Sequence, residues 1–221
     1  MLSDRSPSHN WSVFAVRDLE IPGLGALSFE VPAGGVLAVS GPSGSGKTRL
    51  LRALADLDPH RGSVRWGDRS CAAVPAPEWR RRVGLLPAEP RFWRPVAGDH
   101  FPDDGDSLAG ELAGLRLDPA VRNADPALLS TGERSRLALL RLLLNGPEVL
   151  LLDEPTANLD QDNRALVIGR IDRYRSEREA PVIWVSHLPE VVAAADRVLF
   201  LPEGEVSSLP DPGAASVETP A

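Results

Sequence analysis

The chain has 221 residues, of which 43% are hydrophobic and 25% are charged, so we predict a packed core and exclude global disorder. The net charge of −7 argues against a protein that binds duplex nucleic acid, and no apolar run is long enough to span a bilayer. Residues 1–10 are polar and carry no apolar signal-peptide core, and the single cysteine fits a reducing compartment. We therefore expect a cytoplasmic protein.

Short β-rich runs alternate with helical patterns along the chain. The first two runs, 12–19 and 27–31, are separated by Pro22 and two glycines, which predicts an antiparallel pair. Further strands are predicted at 36–40, 63–66, 83–86, 149–152, 182–186 and 197–201, and helices at 48–57, 107–115, 133–144, 161–178 and 190–195. Several of these strands are apolar without alternation, as in strands buried on both faces. The pattern predicts an α/β fold with a mainly parallel sheet and an N-terminal antiparallel β subdomain.

The stretch 88–130 differs in composition from the rest of the chain. It contains several prolines, acidic residues at 103–106 and one helical run at 107–115. We predict a short helical insert within a single domain that covers residues 1–208. Residues 207–221 are rich in serine, proline and glycine, and we expect a flexible tail over 209–221.

A glycine-rich motif lies between the predicted strand 36–40 and the helix that begins at Thr48. It consists of Gly41, Pro42, Ser43, Gly44, Ser45, Gly46, Lys47 and Thr48, and it fits the phosphate-loop pattern G-x-x-x-x-G-K-[ST]. Glycines let the backbone turn several N–H groups toward phosphate oxygens, and the helix adds the positive end of its dipole. Lys47 would supply a compact charge to the β- and γ-phosphates, and the Thr48 hydroxyl would ligate Mg²⁺.

Two carboxylates follow the buried strand 149–152. Asp153 and Glu154 would lie at the carboxyl end of that strand, where ligands bind in open α/β sheets. We predict that Asp153 holds Mg²⁺ and that Glu154 orients and deprotonates an attacking water. His187, which follows the strand 182–186, would lie at the same edge of the sheet. An acidic loop or a lone histidine is common in proteins, so the functional assignment of these residues depends on their occurrence together with the phosphate loop.

Ser130 and Glu133 have the spacing of a capping box, S-x-x-E, at the start of the helix 133–144. The same segment places Gly132 near the serine at a helix N-terminus, which is also an arrangement that binds anions. The two interpretations are compatible, because a capped helix still presents backbone N–H groups at its first turn.

Together these motifs resemble the ATP-binding cassette (ABC) ATPases, the nucleotide-binding subunits of ABC transporters, over residues 12–206. The segment GPSGSGKT resembles the Walker A loop, LSTGE at 129–133 the LSGGQ signature, and LLLDEP at 150–155 Walker B with the catalytic glutamate. Residues 158–160 resemble the D-loop, and His187 resembles the switch histidine. The C-terminal half is also similar to ATPase subunits of small iron or metal export systems.

The resemblance implies a mechanism that needs two copies of the chain. ATP would lie between the Walker A loop of one copy and the signature of the other, so Ser130 and Gly132 would contact the γ-phosphate held by the other copy's Lys47. Glu154 would act on water, His187 would steady the γ-phosphate, and Asp160 would couple the two sites. The further expectations are ATP and Mg²⁺, a separate transmembrane permease, and a location at the cytoplasmic face of the membrane.

Three positions depart from the family's pattern. Ala88 stands where the family places a glutamine, and alanine cannot ligate Mg²⁺, although the adjacent Glu89 could reach the metal. The region from Glu20 to Gly25 lacks the aromatic residue that normally stacks on adenine, which leaves Phe14 or Trp11 and implies loose discrimination among nucleotides. The third departure, Thr131, replaces a glycine in the signature and adds bulk near the phosphate.

Two questions stay open from the sequence alone. The aromatic residues Phe92, Trp93 and Phe101 either form an exposed docking patch for a membrane partner or fill the core of the insert. The chain is either the ATPase subunit of a transporter or a soluble, non-transport ABC protein that works as a nucleotide-gated clamp, which the altered position 88 favours slightly. A binding-only cassette is disfavoured, because the expected catalytic residues are all present.

Overall fold

The computed structural model describes residues 13–101, 105–201 and 204–208. Its strands are β1 (Val13–Glu20), β2 (Leu27–Pro32), β3 (Val36–Ser40), β4 (Arg61–Trp66), β5 (Arg69–Ser70), β6 (Val83–Leu86), β7 (Val149–Asp153), β8 (Val182–Val185), β9 (Arg197–Phe200) and β10 (Glu205–Ser208). Its helices are α1 (Lys47–Leu54), α2 (Ala76–Arg82), α3 (Gly105–Gly114), α4 (Thr131–Leu144), α5 (Gln161–Arg178) and α6 (Pro189–Ala193). The expectations for residues 1–12, for the acidic residues at 103 and 104, and for the tail 209–221 lie outside the described ranges.

Within the described ranges the strands form two sheets. The first is antiparallel and has the order β2-β1-β4-β5. The second has the order β10-β9-β3-β8-β7-β6, and all of its pairings are parallel except the one between β9 and β10. The predicted α/β fold, with a mainly parallel sheet and an N-terminal antiparallel subdomain, is therefore confirmed.

Helix α1 is packed between the two sheets. Its apolar residues Leu50, Leu51 and Leu54 are fully buried in one core with Phe14 and Val16 of β1 and with β3, β7 and β8 of the parallel sheet. The spacing of these leucines puts them on one face of the helix, whereas Thr48, Arg49 and Arg52 are exposed. This packing fixes the start of α1 against the edge of the parallel sheet.

The opposite face of the parallel sheet is covered by α3, α4 and α5. Along β7, Leu151 contributes to the core around α1, whereas its neighbours Leu150 and Leu152 contribute to the core beneath α4 and α5. Side chains alternate between faces along a strand, and here both faces are buried. The unbroken apolar runs in the sequence therefore reflect a sheet with helices on both sides.

Helix α1 ends three residues earlier than its apolar pattern predicts. Asp56 has a φ of 56°, which lies in the left-handed region and stops the helical hydrogen-bond pattern after Leu54. Leu57, the last apolar residue of the predicted helix, is consequently outside it and 40% exposed. The predicted end of this helix at residue 57 was wrong for this reason.

Three elements were not predicted: β5, α2 and β10. In α2 the prolines at 75 and 77 lie at the helix start, and proline is tolerated in the first turn of a helix, where an N–H has no helical acceptor. The buried indole of Trp79 then anchors α2 by donating a hydrogen bond from Nε1 to the backbone oxygen of Leu54, 2.9 Å away. The last two residues of β10, Ser207 and Ser208, begin the stretch that the sequence marked as irregular.

The insert has the helix that the sequence predicted, with bounds shifted by one or two residues to Gly105–Gly114. Short 3₁₀ turns at Ala97–His100, Pro119–Asn123 and Pro126–Leu128 make up much of the remainder. Among the described residues, no helix combines the length and the hydropathy that a membrane crossing requires.

Candidate functional site

The glycine-rich loop 41–46 connects the end of β3 to the start of α1. At Gly41 the φ is 143°, and a Cβ there would lie 2.2 Å from the backbone oxygen of Leu201. At Gly46 the φ is 98°, and a Cβ would lie 2.9 Å from the side chain of Leu24. Only glycine fits at these two positions, because any side chain would be strained and would collide with its neighbour. The loop is therefore a tight turn that brings the N-terminus of α1 to the sheet edge.

Lys47 is held by its own loop. Its Nζ donates hydrogen bonds to the backbone oxygens of Gly41 and Pro42, at 2.7 and 2.9 Å, and the residue is only 8% exposed. The hydroxyl of Ser45 is buried in the same loop and has no hydrogen-bond partner among the described residues. A buried ammonium group whose acceptors are neutral backbone carbonyls is suited to an anionic ligand, which is a stronger acceptor.

Thr48 and Asp153 meet at the centre of the site, although 105 positions separate them in the sequence. The Thr48 hydroxyl donates a 2.7 Å hydrogen bond to Oδ2 of Asp153, the last residue of β7. Asp153 is 3% exposed. The pairing occurs because α1 packs on the sheet face beside β7, so the first turn of the helix reaches the carboxyl end of that strand. Two oxygen ligands for a hard cation thus lie side by side.

Glu154 follows Asp153 and has an unusual backbone conformation, with a φ of 50°. Its Oε1 lies 3.2 Å from Nε2 of His187, which follows the adjacent strand β8. Burial raises the pKa of the Glu154 carboxyl above its ordinary value; the neighbouring His187 opposes the rise and Asp153 adds to it. Glu154 is therefore a carboxylate with a raised proton affinity, placed where the site opens to solvent.

These side chains line one pocket of about 360 Å³. Its walls are Ser43, Gly44, Gly46, Lys47, Thr48, Arg49, Ala88, Asp153, Glu154, Val185 and His187. The structure therefore brings together the predicted metal and catalytic residues with the predicted phosphate loop. Gly41, Pro42 and Ser45 belong to the same loop but do not line the pocket.

Ser130 lies outside this pocket, as an exposed residue at the N-terminus of α4. It forms the predicted capping box: its Oγ accepts from the Glu133 backbone N–H at 3.2 Å, and its own N–H donates to Glu133 Oε2 at 2.9 Å. The Ser130 hydroxyl also donates to that carboxylate at 2.6 Å, and these bonds lower the pKa of Glu133. Gly132 is close to the D-loop, since a Cβ there would lie 3.2 Å from Leu159.

Asp160 is also outside the phosphate pocket, where it caps helix α5. Its carboxylate accepts hydrogen bonds from the backbone N–H and the side-chain amide of Asn163, at 2.8 and 2.6 Å, and these bonds lower the pKa of Asp160. The predicted residues thus form two groups. One group lines the phosphate pocket, and the other, which consists of Ser130, Gly132 and Asp160, lies outside it.

The departures from the family's pattern have structural counterparts. Ala88 is exposed and lines both the phosphate pocket and a second pocket, which Glu89 also lines together with Thr131 and Asn158. A role for Glu89 at the metal stays a prediction. Phe14 is fully buried and stacks on Trp79, with ring centroids 6.5 Å apart. Phe14 is therefore unavailable to a nucleotide, which corrects that expectation, and Trp11 lies outside the described residues.

The structure also shows functional neighbours that the sequence reasoning missed. Arg49 lines the phosphate pocket, and Arg136 is a buried arginine that bonds to Asn163 and to the backbone of Gly132 and Leu115. Arginine makes up nearly all of the basic residues of this chain, so neither position stands out in the sequence. Only their spatial neighbours distinguish them.

A strand, a glycine-rich turn and a helix that together present a lysine and a threonine to a buried aspartate define a P-loop nucleotide-binding protein. A family model described as ABC transporter matches residues 24–157, which is more than half of the chain. The chain therefore belongs to the ABC transporter family.

Individual relatives agree with this assignment. The molybdenum import ATP-binding protein ModC of Rhizobium etli is 35% identical over 214 residues, which cover 84% of this chain and 57% of that protein. Protein STAR1 of Oryza sativa subsp. japonica is 36% identical over 205 residues, which cover 87% of this chain and 59% of that protein. The chain thus spans less than two thirds of the length of these relatives.

The fold has a counterpart among solved structures. A bacterial Atm1-family ABC exporter with ATP bound superimposes with a TM-score of 0.78, at 24% sequence identity, over 92% of this chain and 40% of that one. At this level of identity the similarity supports the shared fold alone.

Proposed function

We propose that the chain is the ATP-hydrolysing, nucleotide-binding subunit of an ABC transporter and energises a separate membrane permease through ATP-driven dimerisation. The observation that carries the proposal is the 2.7 Å contact between Thr48 and Asp153 in the pocket that also holds Lys47, Glu154 and His187. A phosphate loop, a pair of oxygen ligands and a candidate base within one cleft are the parts that phosphoryl transfer to water requires.

The site fits Mg²⁺ bound together with a nucleotide. The Thr48 hydroxyl and the Asp153 carboxylate are hard oxygen ligands, and the described residues contain no cluster of three or more acidic, histidine or cysteine side chains that could hold a metal alone. Mg²⁺ is commonly held by one or two protein oxygens plus substrate phosphates, so this small ligand set suits it. When bound, the ion neutralises charge on the phosphate oxygens.

The phosphate loop binds and orients the substrate. Lys47 Nζ exchanges the carbonyl oxygens of Gly41 and Pro42 for β- and γ-phosphate oxygens, which accept more strongly because they are charged. The backbone N–H groups of the loop and the first turn of α1 direct positive partial charge at the same oxygens. Because these groups are fixed by the fold, little reorganisation accompanies the reaction.

Glu154 accepts the proton of the attacking water. The water oxygen forms a bond to the γ-phosphorus, the bond from that phosphorus to the bridging oxygen of ADP breaks, and Glu154 takes up the released proton. Its raised pKa makes it a stronger base than an ordinary glutamate, provided that it is ionised in the resting site. His187, 3.2 Å from the Glu154 carboxylate, orients it and contacts the γ-phosphate.

A second copy of the chain completes the site. Ser130, Gly132 and Asp160 lie outside the phosphate pocket, and Ser130 and Asp160 are exposed. A head-to-tail partner would bring its Ser130 and Gly132 to the γ-phosphate bound on Lys47, while Asp160 would lie at the interface between the two copies. The capped N-terminus of α4 would then contribute helix dipole and N–H groups from the other side of the nucleotide.

The permease partner has a candidate contact in Trp93, which is 73% exposed. Phe92 and Phe101 instead pack against the core of the insert, so the three aromatic residues divide between the two roles that the sequence left open. The Arg141 guanidinium lies 4.9 Å from the Trp93 ring centroid and holds this indole at the surface. An exposed, positioned tryptophan is typical of the anchor residues of protein interfaces.

Glu154→Gln tests the catalytic assignment. The substitution removes the base but keeps the size and polarity of the side chain, so we expect ATP hydrolysis to fall by about 10²-fold or more while ATP still binds. An ATP-bound dimer should then accumulate and be visible by size-exclusion chromatography with light scattering. Hydrolysis at the rate of the unaltered chain would contradict the role of Glu154, and a failure of both forms to bind ATP would contradict the proposed function.

The alternative, a soluble nucleotide-gated clamp, is favoured by one observation, the exposed Ala88 at the position of the family's glutamine. The two functions differ in their partner. Co-purification with an integral membrane protein that is lost in Trp93→Ala supports the transporter subunit, whereas a purely soluble assembly supports the clamp. The relatives' names include an importer and the structural neighbour is an exporter, so neither cargo nor direction forms part of the proposal.

A further inference from the structure

Arg49 directly follows the phosphate loop, and its side chain extends toward the turn between β1 and β2. Its backbone is in the first turn of α1 and its side chain helps to line the phosphate pocket. Its Nη2 donates a hydrogen bond to the backbone oxygen of Pro22, in the turn between β1 and β2. A Cβ at Gly23 would lie 3.2 Å from Nη1 of Arg49, so the glycine at this position leaves space for the guanidinium.

A large cavity lies on the far side of this turn. It has a volume of about 670 Å³ and is lined by Glu20, Ile21, Pro22, Gly23, Leu24, Ala26, Pro59, His60 and Arg61. Leu24, in its wall, also touches the phosphate loop at Gly46. Pro22 and Gly23, which Arg49 contacts, belong to the same wall. Arg49 therefore lines the phosphate pocket and, through its hydrogen bond to Pro22, contacts the wall of a neighbouring cavity that has room for a nucleoside.

We propose that Arg49 is the residue that holds the base of the nucleotide, by offering the flat face of its guanidinium for stacking against the purine ring. The inference rests on the proposed function, because it takes the phosphates of a nucleotide to lie on the loop 41–48. Arg49 lines the phosphate pocket together with Lys47 and Thr48, so the nucleoside of such a ligand would pass close to its side chain. Among the residues that the structure describes, none of those lining the cavity is a phenylalanine, tyrosine or tryptophan.

The chemistry of arginine suits this arrangement. A guanidinium is planar, and its N–H groups donate within the plane. The bond to Pro22 restrains the guanidinium, and because Arg49 is exposed a face of the plane can meet a ligand. Protein–RNA complexes use guanidinium planes to stack unpaired bases in the same way. Lysine would keep the charge at this position but would offer no flat surface.

The test compares ADP with pyrophosphate, which has the phosphates of ADP without the nucleoside. We expect Arg49→Lys to weaken ADP binding by about tenfold, a typical contribution of one stacked base, and to change pyrophosphate binding by less than about twofold. Both dissociation constants are measured by calorimetric titration of the full chain in the presence of Mg²⁺. The matched control is Arg52→Lys, one turn along α1, whose guanidinium bonds to Asp58 at 2.7 and 2.8 Å instead. We expect this control to match the unaltered chain.

Four results would overturn the inference. Equal weakening of ADP and pyrophosphate would mean that Arg49 holds phosphate and not the base. Unchanged binding of both would mean that Arg49 does not contact the nucleotide. Selective loss of ADP affinity in His60→Ala, without such a loss in Arg49→Lys, would assign the stacking to the imidazole in the cavity wall. If the unaltered chain binds pyrophosphate but gains nothing from the nucleoside of ADP, the inference fails while the phosphate loop stands; if it binds neither, the proposed function fails as well.

Discussion

At the scale of single residues, lysine and arginine have different roles at the candidate site. Lys47 is the only lysine among 24 basic residues, and it is the one placed on the phosphate loop. An ammonium group is compact and can contact several oxygens at once, whereas a guanidinium needs a flat approach in one plane. Lys47 and Arg49, two positions apart, would thus bind two chemically different parts of one nucleotide, the phosphates and the base.

Because the chain has one lysine, amine-selective acylation provides a direct probe of the phosphate loop. We expect a reagent of this type to label the α-amino group and Lys47 Nζ, with slow reaction at Lys47 because that side chain is 8% exposed. Saturating ATP should suppress labelling of Lys47, since the phosphates take up the ammonium group. Peptide mass spectrometry measures both sites, and labelling of the α-amino group is the internal control. Equal labelling of Lys47 with and without ATP would contradict its assignment.

At the scale of elements, the predicted signature segment and the start of α5 are tied together by Arg136 of α4. This side chain is 8% exposed and donates to the Gly132 backbone oxygen at 3.2 Å, to Leu115 at the end of α3 at 2.9 Å, and to Asn163 Oδ1 at 2.6 Å. Asn163 in turn bonds to Asp160. A buried cation with this many acceptors holds three segments in one arrangement, so they would meet a partner copy as a unit.

Replacing Arg136 with methionine should destabilise the protein. The substitution keeps much of the volume but leaves the Leu115 carbonyl and the Asn163 amide oxygen without their donor, so we expect a loss of about 3 kcal/mol in the free energy of unfolding. The midpoint of urea denaturation measures the change. Arg173→Met, at an exposed arginine of α5, is the control and should shift the midpoint little. A midpoint for Arg136→Met equal to that of the control would contradict the role of Arg136.

At the scale of the whole molecule, the order of the parallel sheet assembles the pocket. Strand β8 lies between β3 and β7, so the phosphate loop after β3, His187 after β8 and the carboxylates after β7 emerge along one edge. Ser130 and Asp160 are not on the walls of that pocket. A site that needs all of these groups therefore calls for two copies of the chain, each supplying what the other copy's pocket lacks.

A mixing experiment tests this arrangement. We expect Lys47→Ala and Ser130→Phe to be inactive separately, because each homodimer would carry the same defect in both of its sites. In a mixed dimer one site receives both defects and the other receives none, so ATP hydrolysis should reappear on mixing. The measurement is the steady-state rate of phosphate release as a function of mixing ratio. If the mixture stays as inactive as its components, the two residues do not act on the same nucleotide from different copies.

Much of the site could be predicted from the sequence because its parts are local. The phosphate loop depends on backbone angles that only glycine adopts easily, and the motif lies between an apolar strand pattern and a helical one. The capping box depends on hydrogen bonds between Ser130 and Glu133, three positions apart. The bounds of β3, β6 and α5 were also predicted correctly, and Gly41 and Pro87 directly follow the two strands.

The sequence by itself determined that a phosphate loop and two strand-end carboxylates exist in an α/β fold, because these features rest on local dihedral angles and hydrogen bonds. Only the tertiary structure decided that Thr48 meets Asp153, that Phe14 is buried while Trp93 is exposed, and that Arg49 stands beside a cavity. The physical reason is that strand order and burial follow from packing between segments far apart in the chain. Local patterns carry no information about which of several apolar strands become neighbours.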